Sequence, residues 1–337
     1  MDTALDLLKK HDAGLTELRS GDGGVLVCPN LQGRIFCRID TELIHRLDVA
    51  ALENPSPTEF NNLGGNSLWP APEGGRFAFN YLPGSDRWLV QEGIAETPAK
   101  VVVQEQNKVI VEKRIPLTNR KGAKIRVVFR RAVSVPTAPL PKGYDLAGVS
   151  YRTEDTLAPA GSYSIEDVLL APWSLEQFPG AEGVVAFCKV SQPETAINFD
   201  FYTHPEERIR YGEGFFTFAL GGEDRHQIGV KMASSPQLLG ALDYNRSLLI
   251  LRKTQKEEGL YFNIADNEQA DGPYSAADMY SVFNGGALGF FELETIGALQ
   301  AGGGKLAPST LVSETTILKG SAEELHRYVE ERLSLKL

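Results

Sequence analysis

The chain has 337 residues, 42% of them hydrophobic and 23% charged, with a formal net charge of −10. That is ordinary globular composition with enough apolar residues to bury a large core, so wholesale disorder is excluded. The acidity favours solubility and gives no sign of the basic face that a nucleic-acid binder needs to neutralise phosphates.

Thr3 to Leu18 carries a short helical pattern, with Asp2 or Thr3 placed to cap it and an incomplete apolar stripe that starts at Leu5 and Leu8. Residues 1–20 are therefore read as an N-terminal helical segment. The segment lacks the basic region, long apolar stretch and cleavage site of a signal peptide. No apolar run approaches the roughly 20 residues that span a bilayer. The expectation is a cytoplasmic protein with no membrane contact.

The period then changes to two. Val25 to Cys28 and Arg34 to Ile39 read as strands, the second with Ile35, Cys37 and Ile39 on one face and Arg34 and Arg38 on the other. Val101–Val103 and Val109–Val111 flank a Gln106-Asn107 turn, and Lys124 to Val133 follows another turn. Short β-like runs recur at Ser164–Leu170, Val184–Val190, Phe215–Leu220, Gln227–Lys231, Leu248–Leu251, Leu288–Ile296 and Thr310–Leu318. No repeated helices of crossover length separate them, so an antiparallel sandwich or barrel is expected. Proline-rich Pro136 to Gly143 reads as a surface connection within a single domain covering 1–337. Ser321 and Glu324 form a capping box ahead of Leu325, Tyr328, Val329 and Leu333, which predicts a docking helix over 321–335. The cysteines Cys28, Cys37 and Cys188 are too few and badly spaced for a disulfide framework or a zinc site, and read as buried apolar residues.

Two stretches carry candidate chemistry. Asn61 to Arg76 combines two Gly pairs, two prolines, amides, a tryptophan and a charged pair. Trp69 can stack on a sugar ring while Asn66, Glu73 and Arg76 bond hydroxyls, although Trp69 serves equally well as a core residue. In Phe290 to Ile296, Glu292 and Glu294 share a strand face about 6.6 Å apart. Bracketed by Phe290 and Ile296, one or both carboxyls have a reason to titrate high, which suits a general acid or base. The alternative is a solvated outer face. His204 and His226 sit at strand–loop transitions and are the better histidine candidates for acid–base work. Gly302–Leu306 fails as a phosphate loop, because Leu299 and Leu306 stand where Gly and Ser or Thr are required. No calcium loop spacing occurs, so no metal or other cofactor is expected.

Three landmarks in order resemble the galactose-mutarotase-like superfamily. They are Gly64-Gly65 with Trp69-Pro70-Ala71-Pro72-Glu73, the Gln227–Lys231 strand, and Phe291–Thr295 followed by Leu306–Thr310. The resemblance covers roughly residues 25 to 320 and points to the uncharacterised aldose-1-epimerase-like branch. It implies an all-β, antiparallel supersandwich with a few peripheral helices and a concave face that binds a small-molecule saccharide. In catalytic relatives a late Glu takes the anomeric proton and a His protonates the ring oxygen. Carried over, Glu292 or Glu294 is the base and His226 or His204 the acid, with Asn66, Trp69, Glu73, Arg76, Trp173 and Lys231 binding substrate. The epimerases' Asn and His motif before Phe-Asn is missing, and Pro308-Ser309 replaces Pro-Gly. Three readings follow: an aldose 1-epimerase-like isomerase, a non-catalytic sugar-binding or sensing protein, and a carbohydrate lyase or hydrolase. Oligomeric state is left open.

Overall fold

The computed structural model describes residues 3–136, 143–265 and 272–337. Two large antiparallel sheets face each other. In spatial order the first holds Thr16–Ser20, Gly23–Cys28, Arg34–Ile39, Asn66–Ala71, Ala171–Pro179, Phe290–Ile296, Asp278–Asn284, His226–Lys231 and Ile197–Asn198. The second holds Ile209–Gly212, Phe215–Ala219, Val184–Lys189, Leu238–Asp243, Leu248–Thr254, Ser309–Lys319, Ala147–Pro159, Lys124–Ser134, Lys108–Thr118 and Lys100–Gln104. This is the expected all-β supersandwich.

Strand alternation builds the core. Val25, Ile35, Cys37, Ile228, Val282 and Leu293 of the first sheet pack against Val149, Ala186, Ala241, Ile250 and Ile317 of the second. The three cysteines are free and buried; Cys37 lies opposite Val25, and Cys28 opposite Arg34. A polar layer crosses the sandwich. Glu176 takes Arg252 Nε at 2.9 Å, His45 Nε2 at 2.7 Å, Tyr151 Oη at 2.5 Å and Thr315 Oγ1 at 2.9 Å. Burial alone would raise this carboxyl, but the charge of Arg252 and the bonds from His45 and Tyr151 bring it down to about 2.

Thr3 caps the N-terminal helix through a capping box with Asp6, but the helix covers only Ala4–His11. Thr16–Ser20 is already a sheet-edge strand, so the helical reading out to Leu18 ran too far. Asp2 lies outside the described residues, as does the 137–142 part of the proline-rich connection. At the other end Ser321 caps Ala322–Tyr328, which a π-turn extends over Val329–Leu333. Leu325, Tyr328 and Val329 cover Leu249, Leu251 and Leu318 on the outer face of the second sheet. Ser164–Leu170 is not a strand; it is a loop with one isolated bridge, Ser164 to Lys305.

Asn61 to Arg76 contains the central strand Asn66–Ala71. A central proline normally argues against a strand. Here Pro70 lies opposite Pro172, so two residues without an N–H share one rung. Gly64 and Gly65 turn the chain into this strand at φ +85° and +69°. A Cβ on Gly64 would lie 2.1 Å from the Arg46 carbonyl oxygen, so only glycine fits.

Candidate functional site

A cavity of about 760 Å³ opens over the middle of the outer face of the first sheet. Its floor comes from adjacent strands through alternation. Ser67 and Trp69, then Trp173, Leu175 and Gln177, then Phe290, Glu292 and Glu294 all point into it. Their neighbours Glu176, Phe291 and Leu293 point back between the sheets. Loops supply the walls: Arg46, Phe60 and Asn62, then Tyr81 and Trp88, then Tyr202 and Arg225.

Register places Glu292 between Gln177 and Phe283, and Glu294 between Leu175 and Ser281. Gln177 Nε2 donates to Glu292 Oε1 at 2.6 Å, and Trp173 Nε1 donates to Glu294 Oε2 at 2.9 Å. Gln177 is itself held by Arg46 Nη1 at 3.2 Å. Both carboxyls line the cavity, Glu292 with 7% of its surface exposed and Glu294 with 0%. Wholly enclosed, the Glu294 carboxyl favours its neutral form.

The two carboxyls titrate as a pair. Burial pushes Glu292 up to about 7, opposed by the Gln177 bond and the charges of Arg46 and Arg34. Burial, together with the charge of Glu292, pushes Glu294 well above the usual carboxylate range. Arg34 is fully buried in the cavity wall and bonds the Gly64 carbonyl at 2.6 Å and Gln32 Oε1 at 3.0 Å. Burial lowers its guanidinium only to about 10, so it stays charged. Arg46 pairs with Asp48 at 2.7 Å and lies 4.7 Å over the Phe290 ring.

The structure brings together five residues singled out from sequence: Trp69, Glu73, Trp173, Glu292 and Glu294 all line the cavity. It does not bring the others. Asn66 has the opposite strand parity to Ser67 and Trp69; between the sheets its amide bonds Tyr151 Oη at 3.0 Å and Arg131 Nη2 at 2.6 Å. Arg76 is exposed and rests on Phe77 at 4.8 Å. Lys231, at the last position of its strand, is not among the lining residues; Gln227 of that strand is.

Neither proposed histidine reaches the cavity. His204 is exposed, 3.5 Å from Glu206. His226 bonds Thr203 Oγ1 at 3.0 Å, and burial lowers its pKa, with the charge of Arg208 adding to the effect. His45, the other buried histidine, is tied to Glu176. No histidine lines the cavity among the described residues. No group of three His, Cys, Asp or Glu side chains suited to a metal occurs among them either. None of their helices is long and apolar enough to cross a membrane.

Sequence reasoning missed Arg34, Arg46, Gln177, Trp88 and Arg225. Alternation in Arg34–Ile39 did put Arg34 on the face away from the core. It could not show that this face lies under a cavity.

Comparison with known proteins bears on the family and the fold. A family model described as "Family of unknown function (DUF6786)" matches residues 1–337. No curated protein matches the sequence significantly. Among solved structures, an aldose 1-epimerase candidate from Escherichia coli K12 superposes with a TM-score of 0.53 at 12% identity, over 90% of this chain and 98% of that one. A galactose mutarotase related enzyme from Lactobacillus acidophilus gives 0.51 at 10% identity, over 91% and 97%. A galactose mutarotase-like protein from Lactobacillus casei gives 0.50 at 12% identity, over 91% and 99%. At such identities the likeness shows the fold alone: it is the galactose-mutarotase-like fold.

Proposed function

The chain belongs to the DUF6786 family, whose description names no activity, and we propose from its cavity that it binds a saccharide and interconverts its anomers. The observation that carries this reading is the buried carboxyl pair Glu292 and Glu294 on the floor of an aromatic-walled cavity. Tryptophan faces suit the C–H faces of a pyranose, and Arg34, Arg46 and Gln177 suit its hydroxyls.

A carboxyl pair that holds one proton supplies an acid and a base together. Glu292, the more accessible member, accepts the anomeric hydroxyl proton. The proton that the pair already holds goes to the ring oxygen. The bond between the anomeric carbon and the ring oxygen breaks, its electron pair stays on the ring oxygen, and the former hydroxyl becomes the carbonyl. Rotation about the next carbon–carbon bond and the reverse transfers close the ring on the other face. The pair ends with one proton, as it began. Histidine is not required by this scheme, which suits a cavity that has none.

One observation favours a second reading, saccharide binding without turnover: Glu294 is wholly enclosed and no histidine stands in as the acid. NMR exchange spectroscopy on a panel of reducing sugars separates the two. Catalysis requires exchange between α and β signals above the protein-free rate, cut by about a hundredfold or more in Glu292→Gln. Saturation transfer without exchange supports binding alone. A parent-like exchange rate in the Glu292→Gln, Glu294→Gln double variant would sink the catalytic reading.

A further inference from the structure

A single pyranose is much smaller than a drug-sized ligand, and sites for the latter span about 300–1,000 Å³. This cavity, at about 760 Å³, has room for more than one ring. Its aromatic residues are also arranged in a direction. Trp173, 1% exposed on the floor, meets Trp69 edge-on at 6.1 Å. Trp69 meets Phe60 at 5.6 Å, and Phe60 meets Trp88 at 5.8 Å. Trp88 is 46% exposed. A continuous aromatic wall thus runs from the carboxyl pair to the mouth. On the mouth Leu288 is also exposed, and Arg225 lies over Tyr202 at 4.4 Å.

Trp88 is held there deliberately. Its segment folds back on itself through Leu82 N to Arg87 O at 2.8 Å and Leu89 N to Asn80 O at 2.9 Å. Arg120 clamps the segment from the second sheet side. It lies over Tyr81 at 4.7 Å, donates to the Ser85 carbonyl at 3.0 Å and pairs with Asp86. Gly84 N in turn donates to the Arg120 carbonyl at 2.9 Å. An aromatic that is half in water gains little from packing, so this bracing serves to present the ring and not to bury it.

We propose that the cavity takes a saccharide of two or more units, with its reducing-end ring on the carboxyl pair and the next ring against Trp88. The proposal rests on the saccharide reading and adds chain length and direction to it. Orientation follows from the chemistry: only the reducing end has a free anomeric hydroxyl for Glu292, so the rest of the chain must leave through the mouth.

Calorimetric titration of the full-length protein tests it. The probes are glucose, galactose and mannose, their β1,4-linked disaccharides and trisaccharides, and each disaccharide reduced to its alditol. In at least one series the disaccharide is expected to bind about tenfold tighter than the monosaccharide. Trp88→Ala should bring that ratio close to one, and Trp88→Phe should restore most of it. The alditol should lose the advantage, because its terminal ring is open. Equal affinity for mono- and disaccharide overturns the proposal and leaves the saccharide reading standing. So does a preference that survives in Trp88→Ala with native circular dichroism. An alditol as tight as its parent overturns the orientation. Silence from every sugar overturns both readings.

Discussion

Glu292 and Glu294 differ by one step of solvent access, and in the proposed mechanism that difference divides their roles. Arg34 and Arg46 lie close enough to favour the Glu292 anion, while that anion in turn favours the neutral form of Glu294. Below about 7 Glu292 is neutral and above it charged, and its charge favours the neutral form of Glu294. Exchange above the protein-free rate should therefore rise roughly tenfold between pH 6 and pH 8, as a single group titrating near 7 requires. A flat profile over that range would remove Glu292 as the base. The same shift has a cost in stability, with a definite sign. A carboxyl whose folded pKa lies above its unfolded value stabilises the fold below the unfolded pKa, near 4.5, and loses that contribution as pH rises through about 7. Glu292→Gln should gain on the parent by an amount on the order of 3 kcal/mol between pH 5 and pH 8, read by urea denaturation. An unchanged difference between the two pH values would show that the carboxyl is not buried as described.

Strands were legible in the sequence where their two faces differ in polarity. Arg34–Ile39 has alternation of that kind, and the same period of two put Glu292 and Glu294 on one face of Phe290–Ile296. Ala171–Pro179 is buried along both faces because it lies between the cavity and the core, so its sequence has no period to read. Gln177 was lost with it. Asn66–Ala71 was hidden by two glycines before it and a proline within it. His204 and His226 were chosen as residues at strand–loop transitions, and such a position does not fix where a side chain ends: His204 lies exposed in a loop, and His226 has the opposite parity to Gln227. The glycines themselves make a test at this scale. Gly64 and Gly75 both have positive φ, but a Cβ on Gly75 would meet nothing within 4 Å, whereas on Gly64 it meets the Arg46 carbonyl. Gly75→Ala should cost only the backbone strain of about 1 kcal/mol. Gly64→Ala should cost clearly more in the same urea titration, because Arg46 must move as well. Equal losses would mean that the Arg46 loop yields freely and does not fix the cavity wall.

At the scale of the molecule, the cavity floor depends on what lies behind it. Arg252, from the second sheet, reaches across the sandwich to the two strands that carry the site. It donates to the Leu293 carbonyl at 2.6 Å, the Ser174 carbonyl at 3.2 Å, Ser174 Oγ at 3.0 Å and Thr295 Oγ1 at 3.2 Å. Leu293 lies between the two catalytic candidates, so the guanidinium fixes the strand at the point where its carboxyls turn outward. Glu176 is its counter-ion, and both side chains are wholly buried. Breaking such a pair from one side leaves an unpaired charge in the core, which costs about 3–5 kcal/mol. Glu176→Gln and Arg252→Met should each lose about that much at pH 7. The double variant should lose less than the sum, by about 0.5–3 kcal/mol, because neither charge is left alone. The pH dependence runs opposite to that of Glu292. The folded pKa of Glu176 is depressed to about 2, so its contribution is present above the unfolded value near 4.5 and is lost as pH falls through about 2. The stability gap between parent and Glu176→Gln should accordingly be constant from pH 7 to pH 5 and close below pH 4.5. If the gap stays open at pH 2.5, or if the single losses simply add, then Glu176 and Arg252 do not act as one unit. The strand that carries Glu292 and Glu294 would then have to be held by the sheet hydrogen bonds alone.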